Sequence, residues 1–117
     1  GGQLITGSEP MVFPKGVLNL DHAIFDEKDT LLLPELQSTS VSLVHKISGH
    51  GLRLSWEGME ALAIWSRPVN HGNYLCLEPW HGLPGFADES GVFAEKRYAT
   101  VLKPGERYAC HYEAELI

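Results

Sequence analysis

Positive charge is scarce in this 117-residue chain: nine Lys and Arg stand against fifteen Asp and Glu, a formal net charge of -6. A polyanion is repelled by such a balance, because nucleic-acid binders need a clustered basic face to displace counterions. Nucleic acid is therefore excluded as the expected partner. Long apolar runs are missing as well. The longest, Ala61-Leu62-Ala63-Ile64-Trp65, is five residues, against the roughly 20 that a membrane-spanning helix requires. No membrane partner is expected. The start, Gly1-Gly2-Gln3-Leu4-Ile5, has neither the basic region nor the apolar block of an export signal, so a cytoplasmic location is the expectation. Cysteine is limited to Cys76 and Cys110, too few for a disulfide framework and without CxxC spacing, and their apolar neighbours suggest buried reduced thiols. Metal-ligand spacing is absent too. His22, His45, His50, His71, His81 and His111 form no HxH, HxxxH or HExxH pattern, so no metal is expected. Gly82, Gly85 and Gly91 make no phosphate-binding loop, and no serine sits in a GxSxG elbow. No cofactor is implied.

What remains is an ordinary globular composition, 44% hydrophobic and 21% charged, in one domain's length of chain. Glycine and proline divide it into short segments of alternating polarity, the pattern of an all-β, antiparallel architecture. Val41, Leu43 and His45 alternate with Ser40, Ser42 and Val44; Leu52, Leu54 and Trp56 alternate with Arg53 and Ser55. These spacings predict half-buried strands. Ala61 to Trp65 and Tyr74 to Leu77 are more continuously apolar, as for central strands covered on both faces. Lys103-Pro104-Gly105-Glu106 reads as a type II turn, predicting a hairpin between Tyr98–Leu102 and Arg107–Leu116. Leu20 to Phe25 fits one helical turn or a loop, and Thr30 to Leu33 a strand stopped by Pro34.

Glu78 is the leading candidate for chemistry. Alternation along Tyr74-Leu75-Cys76-Leu77-Glu78-Pro79-Trp80 puts Tyr74, Cys76, Glu78 and Trp80 on one face. A carboxylate partly desolvated there, at the mouth of a pocket, accepts a proton near neutral pH better than a solvated one. The competing reading is a structural glutamate paired with Lys96, Arg97 or a backbone amide. Asp21 is a second candidate, either accepting hydrogen bonds from a ligand hydroxyl or bonding its own backbone at a turn. Trp80, before the loop His81-Gly82-Leu83-Pro84-Gly85, is placed for ligand contact; Trp65, inside an apolar run, reads as core.

In order along the chain, Leu18-Asn19-Leu20-Asp21-His22-Ala23-Ile24-Phe25 with Asp29-Thr30-Leu31, then Ala63-Ile64-Trp65-Ser66-Arg67-Pro68, then Leu75-Cys76-Leu77-Glu78-Pro79-Trp80-His81-Gly82 are followed by Gly91, Lys96 and Leu102-Lys103-Pro104-Gly105-Glu106. Together these stretches resemble the C-terminal part of the aldose 1-epimerase (galactose mutarotase-like) family, in its LacX-like and hexose-phosphate epimerase-like branches. The resemblance implies an antiparallel β-supersandwich, of which residues 1–117 would be only the C-terminal part. It also implies a free or phosphorylated aldose as substrate, whose α and β anomers interconvert by ring opening. The glutamate matching Glu78 would take the proton from the C1 hydroxyl. The matching aspartate, Asp21, would hold a sugar hydroxyl, with Trp80 beside the substrate. No metal or organic cofactor is required. In that family the acid histidine comes from an upstream portion, and members run to more than twice this length. A second chain carrying that portion, or self-association over the uncovered strand edges, is therefore expected. The alternative function, of a different class, is a non-catalytic sugar-binding β-sandwich module using Trp80, Tyr74 and Asp21; a purely structural β domain is the third.

Overall fold

The structure, a computed structural model, describes residues 4–117. Among these residues, one α-helix, α1 (His22–Lys28), precedes six strands: β1 (Thr30–Pro34), β2 (Ser40–Val44), β3 (Gly51–Glu57), β4 (Ala61–Trp65), β5 (Cys76–Trp80) and β6 (His111–Leu116). The strands form two antiparallel three-stranded sheets, ordered β1-β4-β5 and β2-β3-β6. The all-β sandwich expected from the alternating pattern is the architecture found.

Sequence dictates the local elements in physical terms. Asp21 caps α1, its Oδ1 accepting from the Ile24 amide at 3.3 Å, and thereby satisfies one of the donors that a helix start leaves free. The helix ends at Asp29, whose amide closes the last i to i−4 bond, to the Phe25 carbonyl, and whose positive φ of 60° then turns the chain out of the helix. Phe25 pins the helix down: it is buried and joins Leu31, Leu62 and Ile64 of the first sheet and Leu54 and Trp56 of the second in one cluster. The core thus lies where one face of each sheet meets the other, with α1 closing one side. In the first sheet the core face carries the rows Leu33-Leu62-Pro79 and Leu31-Ile64-Leu77. Period-two alternation sends the intervening rows to the opposite face: Pro34-Ala61-Trp80, Leu32-Ala63-Glu78 and Thr30-Trp65-Cys76.

Several expectations need correction. The apolar strand around Tyr74 to Leu77 begins only at Cys76 and lies at a sheet edge rather than in the centre. Pro79 explains this, because a residue with no amide hydrogen is tolerated where one side of the strand lacks a partner. The hairpin does not form. Its turn does, with Gly105 at φ 89° and the Glu106 amide donating to the Lys103 carbonyl at 3.0 Å. Residues 98–102, however, are unpaired, and β6 instead adds to β3, setting Ala114 beside Leu54 and Tyr112 beside Trp56. The stretch between β5 and β6 serves as a crossover from one sheet to the other. Cys110 is exposed and Cys76 half-buried, both free thiols, because Cys110 belongs to that crossover and Cys76 to the non-core face.

The second sheet extends beyond its cover. Every residue of β6 is exposed, including Tyr112 at 67% and Leu116 at 86% on the face that β3 buries with Leu54 and Trp56. The radius of gyration, 16.2 Å, exceeds the roughly 13 Å of a compact domain of this length.

Candidate functional site

Glu78 sits midway along β5, half-buried, on the face turned away from the core. The Trp80 indole N–H, two residues on and on the same face, donates to Glu78 Oε2 at 3.1 Å. Among the described residues, the pairing with a cation or backbone amide that a structural glutamate would make is not found. Lys96 donates to the Leu83 carbonyl, and Arg97 pairs with Asp88 at 2.6 Å while lying over the Phe86 ring. Glu78 Oε1 carries no hydrogen bond among the described residues. The cross-strand neighbours of Glu78 and Trp80, Ala63 and Ala61, are buried and small, so the face is floored by methyl groups between larger side chains.

A hollow of about 370 Å³ near the chain start is lined by Ile5, Ser8, Phe86 and Arg97, and another of about 290 Å³ by Asp21, Phe25, Leu43, Ser66, Tyr74 and Leu75. Glu78 lines neither. It lies half-buried on the edge strand of its sheet, on the face that carries the buried Ala61 and Ala63.

Trp65 was expected in the core and lies on the Glu78 face instead, half-buried, in the row Thr30-Trp65-Cys76. Its indole N–H donates to Asp29 Oδ1 at 3.2 Å, and its ring meets Tyr74 at 5.7 Å between centroids, tilted by 49°. Asp29 was not singled out from the sequence. The face therefore carries two tryptophans whose N–H groups each hold a carboxylate: Trp80 with Glu78, and Trp65 with Asp29.

Asp21 is placed elsewhere. Besides capping α1, it lines the smaller hollow with Phe25, Leu43 and Leu75, on the core side of the first sheet. The structure brings Glu78 and Trp80 together but does not bring Asp21 to them.

Two histidine clusters complete the polar inventory. Asp26 accepts from His71 Nε2 at 2.9 Å and from the Val69 amide at 2.7 Å, and the His71 ring stacks on His22 at 4.1 Å. These contacts, the Val69 amide first and His71 next, hold the Asp26 carboxyl below its usual value. Glu60, an acceptor only when ionised, takes hydrogen bonds from His81 Nδ1 at 2.8 Å and the Gly82 amide at 3.2 Å. The Tyr108 ring stacks on His81 and its hydroxyl donates to the Gly58 carbonyl; burial and the nearby Glu60 push the Tyr108 hydroxyl up. Among the described residues no three His, Cys, Asp or Glu side chains are grouped to hold a metal ion, and no helix is long and apolar enough to cross a membrane.

No family model and no solved structure matches the chain. Over 100 residues, 86% of this chain, the sequence is 31% identical to protein LacX of Lactococcus lactis subsp. lactis, in both its plasmid and its chromosomal form. The chain spans about a third of the length of these curated relatives, 33% of each.

Proposed function

We propose that this chain acts on carbohydrate, as the Glu78-bearing part of a mutarotase-like isomerase that interconverts the α and β anomers of an aldose or aldose phosphate. The observation that carries the reading is the Glu78 carboxylate itself: half-buried on a non-core face, one oxygen held by the Trp80 indole, with no cation and no partner for the other oxygen among the described residues. Glu78 is the general base. It takes the proton from the C1 hydroxyl as the ring C–O bond breaks, and an acid protonates the ring oxygen; rotation of the aldehyde and reclosure return the other anomer. One base and one acid suffice. Trp80 positions the base and presents an aromatic surface to the sugar. The similarity to LacX and the all-β sandwich support this assignment. Asp21 as a hydroxyl-holding residue in the same site draws no support from its position.

The acid comes from outside these residues, on the part of a longer β-supersandwich that covers the exposed face of β6. That part belongs to a longer form of this chain or to a second chain, and the cytoplasm is the expected compartment. The test is anomer exchange, by polarimetry or NMR, in the sugar-active assembly: Glu78→Gln lowers the rate by about two orders of magnitude or more. An unchanged rate dismisses the proposal.

A second reading, a non-catalytic sugar-binding module, is favoured by three histidines whose rings are engaged with groups other than Glu78: His71 with Asp26, His81 with Glu60, His45 with Ser48. Sugar binding without turnover in the assembled protein selects it.

A further inference from the structure

We infer that Glu60 is a positioning residue for the Glu78–Trp80 pair: it clamps the end of β5 through His81, and the proton on the His81 ring is thereby linked to the hydrogen bond between Trp80 and Glu78. This link is a property of the pair's geometry and goes beyond the carbohydrate reading, catalytic or binding.

Glu60 holds three successive residues. Its amide donates to the Trp80 carbonyl at 3.0 Å, and its carboxylate accepts from His81 Nδ1 at 2.8 Å and from the Gly82 amide at 3.2 Å. Elsewhere β5 is sparsely tied, because it is an edge strand with a partner on one side only and Pro79 has no amide hydrogen to give. Trp80 is the last residue of the strand, and the chain turns away at Gly82, where φ is 80°. The main chain at Trp80 is therefore set by the pairing with β4 before it and by the Glu60 clamp after it, while its indole sets Glu78.

The hydrogen on His81 has a definite place. Tyr108 gives its hydroxyl hydrogen to the Gly58 carbonyl, and an ionised Glu60 has none, so at His81 Nδ1, 3.1 Å from the Tyr108 oxygen, the ring nitrogen itself is the donor. Nε2 has no partner among the described residues and is where a proton enters or leaves. The titratable groups around the ring are Glu60 ahead of β4, Tyr108 of the crossover with Cys110 near it, and, past Glu60, Tyr98 with Glu35; Lys96 is turned to the Leu83 carbonyl. Among the described residues, Glu60 is the carboxylate paired with the ring. When Nε2 gains its proton, the bond from Nδ1 to Glu60 joins opposite charges and strengthens, so the clamp on Trp80 tightens.

The test is an NMR titration of the chain from about pH 8 to about pH 5, the range in which histidine titrates, following the Trp80 indole N–H and the His81 ring together. The Trp80 resonance is expected to move with the midpoint of the His81 ring. His81→Asn, whose side-chain amide still donates but does not titrate, is expected to abolish that movement. Glu60→Gln keeps the side chain's size and removes its charge. There the Trp80 movement is expected to vanish while His81 still titrates, and exchange of the Gly82 amide to rise about tenfold, the scale of one hydrogen bond to a charged group. A Trp80 resonance that stays fixed while the wild-type His81 ring titrates overturns the link, whether or not either variant folds. A movement that persists in His81→Asn assigns it to another group, and one that persists in Glu60→Gln removes Glu60 from the path; either overturns the inference. Each of these failures leaves the assignment of Glu78 standing, because no sugar enters the measurement.

Discussion

Trp80 donates its indole hydrogen to Glu78 Oε2 across 3.1 Å, from two residues further along the same strand and on the same face. The bond fixes the plane of the carboxylate and leaves Oε1 as the oxygen free to take a proton. Trp80→Phe keeps an aromatic ring, smaller than the indole, and removes the donor. Anomer exchange in the sugar-active assembly is expected to fall about tenfold, less than for Glu78→Gln, because the base remains but loses its orientation. A Trp80→Phe loss as large as that of Glu78→Gln would show that the ring matters through something other than this hydrogen bond.

Much of the fold was legible in short-range alternation. Leu52, Leu54 and Trp56 announce β3, and Val41 with Leu43 announces β2, because a residue period of two needs no knowledge of the partner. Partner choice was not legible. Turn chemistry at Gly105 suggested a hairpin, but pairing with β3 gave β6 cross-strand neighbours in Leu54 and Trp56, a long-range match that no local pattern records. The site divides likewise. Glu78 and Trp80 share a face by parity alone, whereas Asp29 and Trp65 meet across 36 positions. One signal for Trp65 was available: it alternates with Ala61 and Ala63, small residues on one side of a strand whose other side carries Leu62 and Ile64.

Acid is expected to loosen the segment between β4 and β5 before the sandwich unfolds. Asp26 holds that segment through the Val69 amide and His71, and these contacts keep its folded carboxyl below the ordinary value. Because the folded value is depressed, the stabilisation is full above the unfolded carboxyl value of about 4 and disappears as pH falls through the folded one. Hydrogen exchange at the Val69 amide, corrected for intrinsic rates, should accelerate across that acid range. Asp26→Asn should accelerate it at neutral pH, and protection that persists in the variant would rule out the clasp.

At the alkaline end, Tyr98 reports on the crossover. Its hydroxyl donates to Glu35 Oε1 at 2.6 Å, and that bond, with burial and the charge of Glu35, pushes the phenol above its usual value. The folded form therefore favours the protonated phenol. Its contribution is present below the unfolded value of about 10 and is lost as pH rises through the folded one. Ultraviolet titration should show two tyrosines, Tyr98 and Tyr108, ionising late, and Glu35→Gln should return only Tyr98 toward 10. Identical titration of wild type and variant would place Tyr98 away from Glu35 in solution.

The small core makes its central leucine a sensitive probe of whether the two sheets fold as one unit. Leu62 is only 1% exposed, in the middle strand of its sheet, and belongs to the cluster that joins Leu31 and Ile64 to Leu54 and Trp56 of the other sheet. Leu62→Ala leaves a cavity as well as losing apolar burial, a change that costs about 2–5 kcal/mol. A domain with a typical stability of about 5–15 kcal/mol loses a large share of it. Chemical denaturation of wild type, followed separately by tryptophan fluorescence and far-ultraviolet circular dichroism, should give coincident transitions, and both should shift together to lower denaturant in Leu62→Ala. If only fluorescence shifts while the strand signal holds, the two sheets are not coupled through this cluster, and the Glu78 face would have to be held in place by something other than the sandwich core.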